Sequence, residues 1–255
     1  MTDADVHFST DSLKRAVSIQ RVLDCDHLVA APQIEAKGFW EPVLTGYFLI
    51  LFATRFRPSL VHRRPKSYVG VGAFNMLTRQ ALERCEYLEP LRLQVTDDVH
   101  LGRLVKSRKM SQYCVIAQDY IRVRWFHGLS GCIHGLEKNA YAGLNYSLPF
   151  ATVTLLSLLV MSLSPLALAA VGKAVWGLAI LLFQVLVGLT IPKTCHLPRW
   201  VGLFFPLAGL VLVYTFARST WLTEKQQGVK WRDTLYPLQT LREAHWRFLR
   251  EQAPL

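Results

Sequence analysis

The chain has 255 residues, of which 51% are hydrophobic and 18% are charged, a more apolar balance than is usual for a soluble protein of this length. Its 29 Lys and Arg residues against 18 Asp and Glu residues give a formal net charge of +11. Five scattered cysteines without a CxxC pair argue against a disulfide framework and against a structural zinc site. No nucleic-acid-binding motif is present, so nucleic acid is not an expected partner.

The hydropathy pattern divides the chain into a charged part, 1–147, an almost uncharged part, 148–217, and a basic polar tail, 218–255. The uncharged part contains three apolar runs, at 148–171, 174–191 and 200–217. Each is long enough to cross the hydrocarbon core of a bilayer, so we predict about three transmembrane helices. Buried helices of a soluble core are the less favoured alternative. Pro165 is expected to kink the first helix, at a cost that neighbouring helices can absorb.

Segment 38–56 is also apolar, and it carries Glu41, Pro42 and Arg55. Its aromatic residues and basic end suit a helix lying at the membrane surface, whereas a buried core helix fits equally well. Clusters of Lys and Arg at 55–66 and 103–109 suit a solvated face, or anionic headgroups if a membrane is near. The tail is basic enough to be cytoplasmic, yet three crossings would place it opposite the soluble part, so its topology stays open.

The charged part alternates helix and strand signals, which predicts an α/β domain. Apolar residues at helical spacing predict a helix over 11–23, and an Asp before an apolar pattern predicts one over 98–106. Short β-branched and aromatic runs predict strands at 27–34, 113–117 and 120–125. The tail is expected to contain a helix over 238–249.

Two acidic pairs have the composition of catalytic sites. Asp3 and Asp5 form a DxD pair, and such carboxylates can hold Mg²⁺ or Mn²⁺ beside a diphosphate. The alternative is an acidic, frayed N-terminus that binds no metal. Asp97 and Asp98 follow Thr96. One of them could take a proton from a hydroxyl, or either could simply cap the helix that follows.

Two further motifs bracket the second acidic pair. Gly72 belongs to a glycine-rich stretch, GVGAFN, which lacks the spacing of a phosphate-binding loop and is better suited to close approach of backbone to a ligand. The segment RVRW contains Arg122, Arg124 and Trp125; guanidinium groups suit phosphate oxygens, and an indole suits a sugar or lipid chain. A basic surface strand with one core Trp is the alternative.

The order of these motifs resembles that of membrane-bound family 2 glycosyltransferases, especially the ceramide glucosyltransferase-like and hopanoid glucosaminyltransferase-like branch. The matching stretches are TDADVHF, GFWEPVL, SYVGVGAFNMLTR, TDDVHLGRLVK, RVRWFHG, GLEKNAYAG and GVKWRDTLYPL. The resemblance implies the C-terminal portion of a GT-A type domain, Rossmann-like with a mixed sheet, followed by transmembrane helices. It also implies an integral membrane protein, in a bacterial inner membrane, whose catalytic part faces the cytoplasm.

The resemblance implies inverting, metal-dependent transfer of a sugar from a nucleotide-sugar, such as a UDP-sugar, to a lipid acceptor. Asp98 would be the base, supported by Asp97, and Gly72 would contact substrate. Asp3 and Asp5 would bind the divalent cation, Mg²⁺ or Mn²⁺. Arg122, Arg124 and Trp125 fall where the family has its (Q/R)xxRW motif, but Ile121 stands at its first position, which puts the role of Arg122 in doubt.

Family members carry a nucleotide-binding βαβ portion before the DxD pair, and this chain begins two residues before Asp3. The resemblance therefore implies an N-terminally truncated chain, and a further expected partner is a chain that supplies the missing half. The alternative function is a non-catalytic remnant or an interaction subunit. A processive polysaccharide synthase is a weaker third alternative, because export of a polymer needs a channel and this chain has few membrane helices.

Overall fold

A computed structural model of the chain describes residues 1–190, 197–231 and 234–253. Three features predicted from sequence fall outside these ranges: the end of the second apolar run at 191, Cys195, and the centre of the GVKWRDTLYPL stretch. The helices, numbered in chain order, are α1 (Ser12–Val22), α2 (Trp40–Phe56), α3 (Arg79–Arg84), α4 (Asp97–Ser107), α5 (Gly128–Gly143), α6 (Leu148–Ala170), α7 (Ala174–Thr190), α8 (Phe205–Gln226) and α9 (Leu238–Glu251). The strands are β1 (His7–Phe8), β2 (His27–Ala31), β3 (Gln33–Ile34), β4 (Asn75–Leu77), β5 (Gln112–Ile116), β6 (Ile121–Val123), β7 (Gly228–Trp231) and β8 (Thr234–Pro237).

The chain forms two compact units, each assembled from segments that are distant in sequence. The first unit comprises Met1–Glu35, Phe52–Arg124 and the C-terminal segment from Thr240. The second unit comprises Ala36–Leu51 and Trp125–Gln239. These units divide the chain differently from the consecutive segments 1–147, 148–217 and 218–255 that hydropathy suggests, because helix packing joins distant segments.

The first unit contains two three-stranded mixed sheets, with strand orders β1-β6-β3 and β4-β2-β5. Strand β2 is central to its sheet, antiparallel to β4 and parallel to β5. The single strand predicted over 27–34 is instead two strands in different sheets. They separate at Pro32, which has no backbone N–H to donate to a sheet ladder.

Most elements predicted for this unit are confirmed. Helices α1 and α4 and strands β5 and β6 lie where the periodicity places them, and the tail helix is α9. The mixed α/β class is therefore confirmed, whereas the GT-A topology remains a prediction.

The second unit is built from long apolar helices. Two stretches, Leu148–Ala170 and Arg199–Gln226, are long and apolar enough to cross a membrane by length and composition. Helix α7, over the second predicted run, has 17 residues. Many apolar side chains of α6 face outward, including Val160 at 64% and Leu166 at 71% exposure, which is unusual for the core helix of a soluble protein.

Helix α2 begins as a buried helix of the second unit. Its residues from Glu41 to Tyr47 are all buried, and its later residues are half-buried or exposed. For the first half of the segment this burial favours a core helix over a helix lying on a membrane surface.

The proline inside α6 has a specific partner in α7. Pro165 has no N–H to give to the carbonyl of Met161, one turn earlier. The side-chain Nε2 of Gln184 donates to that carbonyl at 2.7 Å. Gly177 allows α7 to approach, since a Cβ there would meet the carbonyl oxygen of Pro165 at 2.4 Å. The neighbouring helix thus replaces the hydrogen bond that the proline removes.

Candidate functional site

The candidate site lies in the first unit, where the N-terminus of α4 meets the glycine-rich stretch. The residues at 69–72 run along the first turns of this helix. A Cβ on Gly70 would meet the backbone oxygen of Asp98 at 1.6 Å, and a Cβ on Gly102 would meet the backbone oxygen of Val69 at 2.1 Å. Both positions therefore require glycine because two backbones lie in contact there.

The carboxylate of Asp98 bridges the helix and the glycine-rich stretch. Its Oδ2 accepts a hydrogen bond from the backbone N–H of Gly72 at 2.9 Å, and its Oδ1 accepts one from the N–H of Val99 at 2.7 Å. The preceding Asp97 accepts from the N–H of Asp98 at 3.0 Å. Negative charge at this point is stabilised by the helix dipole.

The first residue of the DxD pair joins the same cluster. The backbone N–H of Asp3 donates to the carbonyl of Gly72 at 2.9 Å. A Cβ on Gly72 would lie 2.3 Å from Asp3 Oδ2, so the glycine leaves space for this carboxylate. Asp3, Gly72, Asp97 and Asp98, which are spread over nearly 100 positions of sequence, thus lie in one place.

The environment changes the acidity of Asp98. Its pKa is raised to about 6, chiefly because burial disfavours the charged form; the negative charges of Asp97 and Asp3 also raise it, and the backbone hydrogen bonds from Val99 and Gly72 partly offset these effects. A carboxylate with a pKa near 6 is still mainly ionised at pH 7, and it holds a proton better than an ordinary Asp. Those two properties are what a general base needs.

A buried polar network holds the glycine-rich stretch in position. Gln112 forms two hydrogen bonds with the backbone of Val69, at 3.0 Å and 2.9 Å, and donates to His27 Nδ1 at 2.7 Å. His27 Nε2 lies 3.2 Å from Asn75 Oδ1, and Asn75 donates to the carbonyl of Val71 at 2.7 Å. All three side chains are buried, so the network fixes the approach to Gly72.

Sequence reasoning missed the role of His27 and Gln112. Both are fully buried polar residues at the first positions of β2 and β5, where they are register partners. A polar residue within an otherwise apolar strand is the signal that could have pointed to them. Burial neutralises His27, because desolvation lowers its pKa to about 4.

The remaining predicted site residues are Asp5, Arg122, Arg124 and Trp125. Asp5 and Arg122 are exposed, and among the residues that the structure describes no hydrogen bond or ion pair joins either of them to the Asp98 cluster. Arg124 is half-buried directly after β6. Trp125 belongs to the second unit, where its ring packs edge-on to Phe48 with centroids 6.0 Å apart.

The second unit contains a buried carboxylate beside the end of the RVRWFHG stretch. Glu41, at 3% exposure, accepts from the backbone N–H of Gly128 at 2.7 Å and from that of Lys37 at 2.8 Å. It thereby ties the start of α5 to the start of α2. The sequence alone showed Glu41 only as a charge within an apolar segment.

The described part of the chain contains no group of three His, Cys, Asp or Glu side chains placed to hold a metal ion. The fit of a divalent cation to Asp3 and Asp5 is therefore not established by this arrangement. In comparisons with known proteins, no protein-family model matches the chain and no curated protein matches it.

Proposed function

We propose that the chain is part of a membrane-associated family 2 glycosyltransferase that moves a sugar from a nucleotide-sugar, such as a UDP-sugar, to a lipid acceptor at the cytoplasmic face. The observation that carries the proposal is the convergence of Asp98, Gly72 and Asp3, with the pKa of Asp98 raised to about 6. The order of the motifs, which resembles that of membrane-bound family 2 glycosyltransferases, also supports it. Two helices long enough to cross a membrane are consistent with a lipid acceptor.

The proposed reaction is a single displacement at the anomeric carbon. The acceptor hydroxyl oxygen forms the new bond to that carbon, the bond to the diphosphate oxygen breaks with its electron pair, and Asp98 takes the hydroxyl proton. Each carboxylate oxygen of Asp98 accepts one backbone hydrogen bond and keeps a second lone pair for this proton. Attack from the side opposite the leaving group inverts the configuration.

A divalent cation remains part of the proposal by resemblance, and it would neutralise the diphosphate leaving group. The described residues contain no group of three side chains placed to hold a metal ion, and the role proposed for Asp98 does not depend on the cation.

The test is transfer of labelled sugar into the lipid fraction by membranes that contain the full chain, with a panel of UDP-sugars as donors. We expect Asp98→Asn to lower the rate by about 100-fold or more. The rate of the wild-type chain should rise with pH through about 6, because only ionised Asp98 accepts a proton. Asp11→Asn is the matched control: this exposed Asp precedes α1 and makes no capping hydrogen bond.

A wild-type rate in Asp98→Asn would show that Asp98 is not the base. One observation favours the alternative, a non-catalytic membrane subunit: both oxygens of Asp98 already accept hydrogen bonds from backbone N–H groups, as in a carboxylate with a purely structural role. No transfer with any donor, together with a loss of stability in Asp98→Asn, would establish that alternative.

A further inference from the structure

A cluster of exposed cations lies at the end of α2 and in the segment that follows it, in the first unit. We define the basic loop as Arg55, Arg57, Arg63, Arg64 and Lys66, all of which are exposed. The sequence contains no acidic residue between Glu41 and Glu83. Within residues 1–190, 197–231 and 234–253, none of the five forms an ion pair with a carboxylate. The positive charge of this loop is therefore available to an external anion.

The backbone of the basic loop is anchored. Val61 is fully buried against Val29 and Val69. The ring of His62 stacks on Tyr113 with centroids 5.1 Å apart, and Lys106 donates from its Nζ to the carbonyl of Val61. The loop thus presents its charges from a fixed position rather than from a flexible tail, which lowers the entropy lost when an anion binds.

Aromatic rings border the cations. Phe52 and Phe56 lie 4.8 Å apart between ring centroids, and the guanidinium carbon of Arg55 lies 5.2 Å from the centroid of Phe56. Tyr68 continues the row, 6.0 Å from Phe56. Basic and aromatic side chains occur together at membrane interfaces, where phosphates lie above an apolar layer.

We propose that the basic loop is a docking surface for anionic phospholipid headgroups. The forked N–H donors of arginine match phosphate oxygens, and Lys and Arg side chains near an anionic bilayer are attracted to its surface. The aromatic border and the helices long enough to cross a bilayer favour this partner over nucleic acid, which would need base-stacking or groove-reading elements. The basic loop shares no residue with the Asp98 cluster, and the inference does not depend on sugar transfer.

The experiment uses the full chain reconstituted into phosphatidylcholine bilayers that contain a trace of spin-labelled lipid. Electron paramagnetic resonance measures the fraction of label that the protein immobilises. For the wild-type chain we expect labelled phosphatidylglycerol to be preferred over labelled phosphatidylcholine by roughly fivefold, the ratio that corresponds to about 1 kcal/mol. The preference should fall in about 0.5 M salt, which screens the charges.

The test variant is Arg63→Gln with Arg64→Gln and Lys66→Gln, which removes three of the five cations, and we expect it to lower the preference by about half or more. The matched control is Lys14→Gln with Arg21→Gln and Arg79→Gln, which removes the same number of exposed cations from the same unit and should keep the preference. Equal immobilisation of both lipids by the wild-type chain would overturn the proposal. So would an equal loss in both variants, because net charge and not the basic loop would then attract the lipid.

A fluorescent 20-mer oligonucleotide added to phosphatidylcholine bilayers tests the rival partner. Tight binding that Arg63→Gln, Arg64→Gln and Lys66→Gln abolish, without any lipid preference, would assign the loop to nucleic acid and overturn the proposal. Circular dichroism of both variants checks that the helices are intact. The substituted side chains are exposed, so we expect the spectra to match that of the wild-type chain.

Discussion

At the scale of single residues, two glycines in the same stretch have different tasks. Gly70 lies against backbone, the carbonyl oxygen of Asp98, whereas Gly72 lies against the tip of an exposed side chain, Asp3. Backbone in the first turn of a helix cannot move away without breaking the helix, but a carboxylate can rotate. The same substitution should therefore have different consequences at the two positions.

We predict that Gly70→Ala destabilises the chain by about 3 kcal/mol or more, because the added methyl overlaps the backbone of α4. Gly72→Ala should cost less than about 1 kcal/mol, since Asp3 can turn aside, yet it should reduce sugar transfer by displacing that carboxylate. Thermal unfolding in detergent gives the stabilities. Equal melting temperatures for the two variants would contradict the described packing.

Glu41 provides a second prediction at this scale. Glu41→Ala removes the acceptor of two backbone N–H groups, those of Lys37 and Gly128, and leaves them without this partner. We expect a loss of about 2–3 kcal/mol in the free energy of unfolding. In the control, Glu83→Ala, the lost partner is the exposed Arg79, and the cost should stay below about 0.5 kcal/mol. Thermal unfolding of both variants distinguishes these values.

At the scale of elements, α6 and α7 are joined by a side chain that repairs a helix. If Gln184 replaces the backbone N–H that Pro165 cannot give to the carbonyl of Met161, its importance should depend on that proline. An alanine at 165 would restore the N–H of the helix, and Met161 would no longer need Gln184.

We therefore predict that Gln184→Leu destabilises the wild-type chain more than it destabilises the Pro165→Ala variant. The difference, measured as the coupling energy of a double-mutant cycle by thermal unfolding, should be about 0.6–1.7 kcal/mol, the range for hydrogen bonds between membrane helices. A coupling of zero would mean that the hydrogen bond to Met161 does not contribute to stability.

Helix α9 is held against α4 in the first unit by polar as well as apolar contacts. Arg103 donates to the carbonyls of Leu249 and Gln252 at 2.8 Å and 2.9 Å. His245 packs edge-on to His100, with centroids 5.3 Å apart, and Phe248 is buried beside them. The tail helix that the sequence predicts is therefore anchored in the core through two uncharged histidines.

At the scale of the whole molecule, buried histidines set the dependence of stability on pH. Desolvation lowers the pKa values of His27 and His100 to about 4 and that of His245 to about 3. In the unfolded chain these groups titrate near pH 6.5, so their contribution to stability is complete above that pH and is lost as the pH falls towards the folded values. Asp98 acts in the opposite sense, because its raised pKa of about 6 lets the folded state take up one proton.

We predict that the first unit loses stability on acidification from pH 6.5 to 4.5. On acidification the unfolded state takes up three protons and the folded state takes up one, a net difference of two. This difference gives the free energy of unfolding a maximum slope of about 3 kcal/mol per pH unit. Thermal unfolding across this pH range measures the slope. His245→Phe removes one of these titrating groups, so it should lower the slope by about 1.4 kcal/mol per pH unit. A free energy of unfolding that is constant over the range would contradict the burial of these rings.

Local sequence determined most of the secondary structure. The spacing of apolar residues predicted α1, α4 and α9, and short β-branched and aromatic runs predicted β5 and β6, because these patterns depend on neighbours within a few positions. The single strand predicted over 27–34 is two strands in different sheets, and they separate at Pro32, whose effect on pairing depends on which strands lie beside it. The apolar composition of α6 and α8 likewise predicted long helices without any tertiary information.

The arrangement of the site was decided only by tertiary structure. Resemblance assigned Asp3, Gly72 and Asp98 to one reaction, but their contact depends on Gly70 and Gly102 letting two backbones meet, and the pKa of Asp98 depends on the resulting burial. Other hydrogen bonds also join distant segments. They are those between His27 and Gln112, those that Glu41 accepts from Lys37 and Gly128, and the one from Gln184 to Met161. Such contacts follow from how the elements pack together, since hydrophobic patterning selects which face of an element is buried but not which polar group it meets there.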